Sequence, residues 1–383
     1  MSGVRRCKIM RGKEKVDLGE ESLEMANQHS ETIDYGIILP YDVVSMIFKR
    51  LFARDLSNCA MVCRLWQEVA VNELASRGPM IDFLPSKAAF KACHTSVFSH
   101  NLTNRPMLGL LFSKINSYPG DCFNTHFPRN CLSILMKTSG VVVNEKEFDR
   151  YTPVAVCGYL PESSEVEIEY LMSKKGQIIH LNKNLEALSN GLHGQQPQRW
   201  SVIEPMIRGA VHRMKEIKCM LLITSERFGH ENKLCSLEVI NENVPILWGG
   251  ITKELRIGRR GEAVGTCHAW IAVLIGGPNV KSWSLIIGNG VRRKEEVREK
   301  FIEWRKDIQP MKHTVALMFA CVGRGTYMYG VRDVEASSFK EIFPDIPLVG
   351  GFGNGEFGFN VNNKSERQAC HQYSSSFLIL TYD

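Results

Sequence analysis

The sequence predicts an α+β protein: a small unit of three short helices, then a larger mixed α/β domain with duplicated halves. Three observations predict it. Residues 38–76 carry apolar residues at helical spacing. From about residue 85, short apolar runs bounded by turn residues alternate with amphipathic stretches. Two of the later stretches also resemble each other at a nearly constant offset.

The bulk composition sets limits. The chain has 383 residues, 44% hydrophobic and 23% charged, which is ordinary for globular proteins and enough for a core without staples. A net charge of +6 is mildly basic, and no Lys/Arg block marks a nucleic-acid face. The densest basic stretch, Arg5–Lys15, reads as a nuclear address or as a solvated tail. Twelve cysteines include no Cys-x-x-Cys pair, which argues against zinc ribbons and thioredoxin-type sites. The N-terminus lacks a hydrophobic leader, and no apolar run reaches the roughly 18 residues of a membrane helix. Many unpatterned thiols suit a reducing compartment, so a cytoplasmic and nuclear location is expected.

Residues 1–37 are polar and without apolar period, and are expected to be a disordered tail. The helical unit spans 38–80. Val44, Ile47, Phe48 and Leu51 fall at i, i+3, i+4, i+7, one face of a first helix, with Pro40 at its start. Asp55 is placed to cap a second helix bearing Leu56 and Cys59. A third carries Val62, Cys63, Trp66, Val69 and Ala70. Three such helices make too small a core to stand alone, so their spare apolar surface is expected to dock elsewhere.

Strands are predicted at 132–137, 219–224, 245–248, 269–275, 282–287, 315–321, 347–349 and 375–382, with a hairpin at 165–172 and 177–181 around Ser-Lys-Lys-Gly. The clearest helix runs over 294–308, with Val297, Phe301, Trp304 and Ile308 on one face. Asp333 is placed to cap another, whose Phe339, Ile342 and Phe343 point inward. In the duplication, Pro245 corresponds to Pro347 and Glu254 to Glu356, while Leu221–Ile223 corresponds to Leu317–Phe319. The offsets differ, so the second copy carries six more residues between its strand and its helix. Repeated units tend to enclose ligand clefts.

Leu39-Pro40, the spaced Val44, Ile47 and Leu51, then Asp55-Leu56 and Val62-Cys63-Arg64-Leu65-Trp66 together resemble an F-box, with Asp42 where that family often has Glu. The resemblance implies docking on the Skp adaptor of cullin–RING ubiquitin ligases through Leu39, Pro40, Val44, Ile47, Leu51, Leu56, Val62, Cys63 and Trp66. Phe319–Gly325, Pro347–Gly351 and Asn354–Glu356 look like the C-terminal part of a FIST domain, a sensory module. That part would span 261–383 and the N-terminal FIST part 85–260. Together they imply a substrate receptor, not an enzyme, that binds protein targets without a cofactor, metal, membrane or nucleic acid.

The candidate ligand or substrate residues are Cys321, Gly323, Arg324, Gly325, Gly351, Asn354, Gly355 and Glu356. Glycines let backbone N–H groups approach a ligand. Arg324 suits a carboxylate or phosphate, and Glu356 an amine; the two would fit an amino-acid-like small ligand or pair with each other. Cys321 reads as a thiol activated by Arg324 or as the buried end of an apolar strand. A catalytic Cys321 needs a base, and His313 lies eight residues back, roughly 26 Å along a strand. His371 or His230 would have to serve instead. Basic Gly258–Glu262 and Val291–Glu296 read as solvated faces, and the glycine-rich run at 350–358 lacks the Gly-Lys-Ser/Thr of a phosphate loop. Cys93-His94, Cys267-His268 and Cys370-His371 lack metal-ligand spacing.

Overall fold

Three short helices open the described chain: α1 (Tyr41–Phe48), α2 (Ala53–Cys59) and α3 (Arg64–Ser76). They bury Val44 and Phe48 of α1, Ala53 and Leu56 of α2, and Val69 and Ala70 of α3. Trp66 meets Phe48 edge-on at 5.3 Å. Ties to the chain beyond α3 help this small core. Ala53 N–H donates to the Leu102 carbonyl at 2.9 Å, and Asn104 Nδ2 to the Gly78 carbonyl at 2.8 Å. The Arg77 guanidinium donates to the Phe48 carbonyl at 3.1 Å.

The computed structural model describes residues 39–85, 102–115, 131–149, 152–174, 177–180, 200–226, 238–258, 268–359 and 369–383. The tail expected over 1–37 lies outside the described residues, and 41–383 form one unit. Among the described residues, no helix is long and apolar enough to cross a membrane.

Eighteen strands are described. In chain order they begin with β1 (Met80–Leu84), β2 (Pro106–Ser113), β3 (Leu132–Lys137), β4 (Gly140–Val143), β5 (Lys146–Phe148) and β6 (Ala155–Pro161). Next come β7 (Glu167–Lys174), β8 (Gln177–His180), β9 (Ile217–Ser225), β10 (Leu247–Thr252), β11 (Glu254–Gly258) and β12 (His268–Gly276). The last are β13 (Lys281–Ile287), β14 (His313–Cys321), β15 (Leu348–Gly353), β16 (Glu356–Gly358), β17 (Cys370–His371) and β18 (Ser375–Tyr382). They make three sheets, ordered β1-β6-β2-β3-β11, β17-β16-β10-β9-β12-β7-β8 and β13-β18-β14-β15-β4-β5.

The sheets share one plan, and the repeat is threefold rather than twofold. Each centres on a parallel pair: β2 with β3, β9 with β10, β14 with β15. The first strand of each pair is flanked antiparallel by β6, β12 or β18. The strand after each pair leaves for another sheet: β4 pairs with β15, β11 with β3, and β16 with β10. Backbone bonds close the ring where the three turns meet. Ser139 N–H donates to the Phe352 carbonyl at 2.8 Å, Lys253 N–H to Lys137 at 3.0 Å, and Asn354 N–H to Ile251 at 3.0 Å. Strands from both sides of residue 260 share two of the three sheets, while the sheet β1-β6-β2-β3-β11 lies wholly before it.

Side-chain alternation builds the layers. On β14, Val315, Leu317 and Phe319 face a shared central core, while Ala316, Met318 and Ala320 face outward under helices. On β9, Cys219, Leu221 and Ile223 face that core, and Met220 and Leu222 face the other way. The outer layers hold α4 (Trp200–Arg213), α5 (Glu238–Asn243), α6 (Lys294–Arg305), α7 (Thr326–Tyr329) and α8 (Val334–Ile342). Phe301 of α6 meets Phe339 of α8 and Phe377 of β18 edge-on at 5.6 and 5.0 Å. Helix α6 ends three residues earlier than its periodicity predicts, although Ile308 stays buried. Asp333 precedes α8 without a side-chain cap; its carboxylate instead accepts the Glu147 N–H at 2.7 Å.

Candidate functional site

Two places carry the residues singled out from the sequence. The first is the helical unit. Of its predicted contact residues, Val44 and Leu56 are buried in its core and unavailable to a partner. Helical periodicity put Val44 on the same face as Ile47 and Leu56 on the second helix, but packing within the unit consumes both. Leu39, Leu51 and Trp66 are half-buried; Pro40, Ile47, Val62 and Cys63 are exposed. The structure adds Tyr41, Val43, Met46, Phe52, Met61 and Val71 to the exposed apolar side chains, with Met61 78% and Val62 63% exposed. Their signal was present: Tyr-Asp-Val-Val-Ser-Met-Ile-Phe is apolar around most of its circumference, which a solvated surface helix is not.

The second place is the loop after β14. Arg324 is fully buried, and its guanidinium is engaged by the protein itself. Nε donates to Glu335 Oε1 at 2.7 Å, and Nη2 reaches the same oxygen and the Tyr329 hydroxyl. Nη1 donates to the Gly288 and Tyr373 carbonyls at 3.1 Å each, and Nη2 to the Val291 carbonyl at 3.4 Å. Tyr329 in turn donates to Glu335 Oε1 at 2.7 Å. The residue expected to clamp an external anion, or to pair with Glu356, pairs with Glu335. A buried guanidinium needs such partners because desolvation of an unpaired one is prohibitive.

Glu356 is also buried. Its Oε2 accepts the Ser374 hydroxyl at 2.7 Å, and burial pushes the carboxyl up to about 8. Glu147 is pushed up to about 8 as well, by burial and then by neighbouring Glu335. Cys321 lies beside this group, and burial, then the Glu356 charge, raise its thiol. Of the two readings open at Cys321, the buried strand end is the one observed. Gly325 (φ +58°) and Gly355 (φ +155°) adopt backbone conformations that L side chains rarely take. A Cβ on Gly323 would lie 2.9 Å from the Tyr373 ring, and one on Gly351 2.9 Å from Phe112. Asn354 Nδ2 donates to Glu226.

His313 is at the opposite end of β14 from Cys321, and His371 Nε2 lies 3.1 Å from the Gly358 carbonyl. His230, Cys93-His94, Cys267 and the basic run after Gly258 lie outside the described residues. Cys370 is disulfide-bonded. Among the described residues, no cluster of three or more potential metal ligands occurs.

A helical unit with an apolar outer face, joined to three interlocked sheets, defines a class. The F-box-like family model matches residues 37–77, and the FIST C domain model matches residues 287–359. The chain thus has one segment similar to F-box-like sequences and, further on, one similar to FIST C domains. F-box only protein 22 of Pongo abelii is 34% identical over 115 residues, which cover 29% of this chain and 28% of that protein. An uncharacterized protein of Mycobacterium tuberculosis strain H37Rv is 48% identical over 63 residues, 16% of this chain and 15% of that one. The aligned part of the chain thus spans under a third of either relative's length. A cyanuric acid hydrolase structure from A. caulinodans superposes with a TM-score of 0.36 at 8% identity, covering 79% of this chain and 98% of that one. That likeness is too remote to bear on activity.

Proposed function

We propose that this chain is the substrate-recognition subunit of an SCF-type (Skp–cullin–F-box) ubiquitin ligase. In this reading the chain performs no chemistry. The helical unit, residues 38–80, docks on the Skp adaptor. The sheet domain after it holds target proteins for ubiquitination and proteasomal degradation by the cullin–RING complex.

One observation carries the reading. Eight large apolar side chains between Tyr41 and Val71 stay exposed on a unit that already has its own core. Burying a side chain of this kind is worth about 1.5–3 kcal/mol, so a few anchors offset the losses of association. The rival reading, a sensor of an amino-acid-like ligand at the Cys321–Gly325 loop, loses its anion clamp to Glu335.

The test is co-purification of the full chain with the Skp adaptor. Met61→Asp and Val62→Asp are expected to keep the wild-type melting temperature and lose the adaptor. Retention of the adaptor by both folded variants would sink the assignment. Targets that accumulate on loss of residues 38–76, in a proteasome-dependent way, would support the degradation step; a stable turnover product would favour an enzyme.

A further inference from the structure

Thirteen large apolar side chains are exposed among the described residues, and twelve of them fall in two places. Eight lie on the helical unit. Four surround the loop after β14: Val322, Tyr327, Val331 and Tyr373, with Tyr327 81% and Val331 61% exposed. The second group is held in place from beneath. Arg324 ties together the carbonyls of Gly288, Val291 and Tyr373 and the side chains of Tyr329 and Glu335. The segments bearing all four apolar side chains thus converge on one buried guanidinium. Tyr373 sits at φ +53°, a conformation uncommon for a bulky residue, and its ring covers Gly323 closely enough to exclude a Cβ there. Asp149 holds the start of α7 by accepting the Thr326 N–H at 2.6 Å.

Two exposed tyrosines and two exposed valines, on segments tied to one buried guanidinium, are expensive to maintain unless they are covered. Its rim is basic. Arg292 and Arg332 are exposed on the segments that flank Val291 and Val331. The Arg292 guanidinium donates to Asn289, its backbone N–H donates to Glu296 Oε2 at 2.9 Å, and no carboxylate pairs with Arg332 among the described residues. Tyrosine and arginine around an apolar centre are the composition of protein-binding hot spots.

We infer that this surface docks a protein segment with an apolar or aromatic anchor flanked by acidic residues. The inference rests on the receptor reading above and names the class of target segment it takes. The anchor packs between Tyr327, Val331 and Tyr373, and the flanking carboxylates meet Arg292 and Arg332. The crossover between β14 and β15 carries three of the four side chains, Val322, Tyr327 and Val331.

The test uses full-length protein and fluorescein-labelled 12-residue peptides carrying a central Trp, Phe or Leu with flanks of Asp/Glu, Ser or Lys. Fluorescence polarisation should show the acidic-flanked set binding at least tenfold tighter than the Lys-flanked set. Tyr327→Ala and Val331→Asp should each weaken it tenfold or more, and Arg292→Glu with Arg332→Glu should abolish the flank preference. All these variants should retain the Skp adaptor. Equal binding of acidic and basic sets, or wild-type affinity in the folded variants, would overturn the inference. So would a concentration-dependent dimer dissolved by Tyr327→Asp, since a second copy would then be the occupant. Loss of adaptor binding by Met61→Asp tests the receptor reading separately, because it leaves peptide binding untouched.

Discussion

Arg324→Met is the most informative single substitution in the sheet domain. Methionine approximates the length of the side chain but removes every donor. Five partners lose their contact: the Glu335 carboxylate, the Tyr329 hydroxyl and the carbonyls of Gly288, Val291 and Tyr373. Glu335 is 1% exposed, so its charge is left buried without its cation. Removing one partner of such a pair costs about 3–5 kcal/mol. For a unit of this length the unfolding entropy converts that to a drop in Tm of roughly 4–7 °C. Differential scanning calorimetry measures it. Adding Glu335→Gln removes the stranded charge and keeps an acceptor for Tyr329, so the double variant should regain roughly half the loss. A single variant that melts within about 1 °C of wild type would refute the buried pair and return Arg324 to the role of a free ligand clamp.

The remaining predictions concern other sites. Burial raises Glu147 and Glu356 from near 4.5 to about 8, so the folded state binds more protons than the unfolded one between those values. Stability to urea should therefore fall as pH rises from 4.5 to 8, and Glu356→Gln should flatten that slope; an unchanged slope would contradict the assignment. Gly350→Ala would bring a Cβ to 2.0 Å from the Met318 carbonyl, and should destabilise by about 2 kcal/mol or more in chemical denaturation, or prevent folding. Brief iodoacetamide treatment followed by peptide mass spectrometry should label exposed Cys63 well before Cys321, which is 9% exposed with a raised thiol.

Much of the fold was legible because its strands are short apolar runs. Leu132–Lys137 is a strand at the predicted bounds, and the hairpin around Ser-Lys-Lys-Gly pairs Leu171 with His180. The β2–β3 copy of the repeat was not legible. Its second strand, Leu-Ser-Ile-Leu-Met-Lys, lacks the preceding Pro and the Gly-Gly that align the other two. Those Gly-Gly pairs also misled in one respect. They read as turns, yet they lie inside β10 and β15, where the parallel neighbour's carbonyl leaves no room for a side chain at Gly249 and Gly350, and the Phe319 and Phe112 rings crowd Gly250 and Gly351. At the loop, glycines and an arginine point equally to a ligand cradle or to a packed junction. Only burial and the position of Glu335, eleven residues on, separate them. In the helical unit, spacing located the helices but left open which apolar residues its own core consumes, so Met46 and Met61 were missed and Val44 and Leu56 were misassigned.

The proposed assembly surface is the exposed apolar face of the helical unit. Its most direct test is isothermal titration calorimetry of the full chain with purified Skp adaptor, for wild type and for Val62→Asp. A one-to-one complex is expected for the wild type and at least a hundredfold loss for the variant, with unchanged melting. No complex with the wild type, or equal affinity of the two, would contradict it.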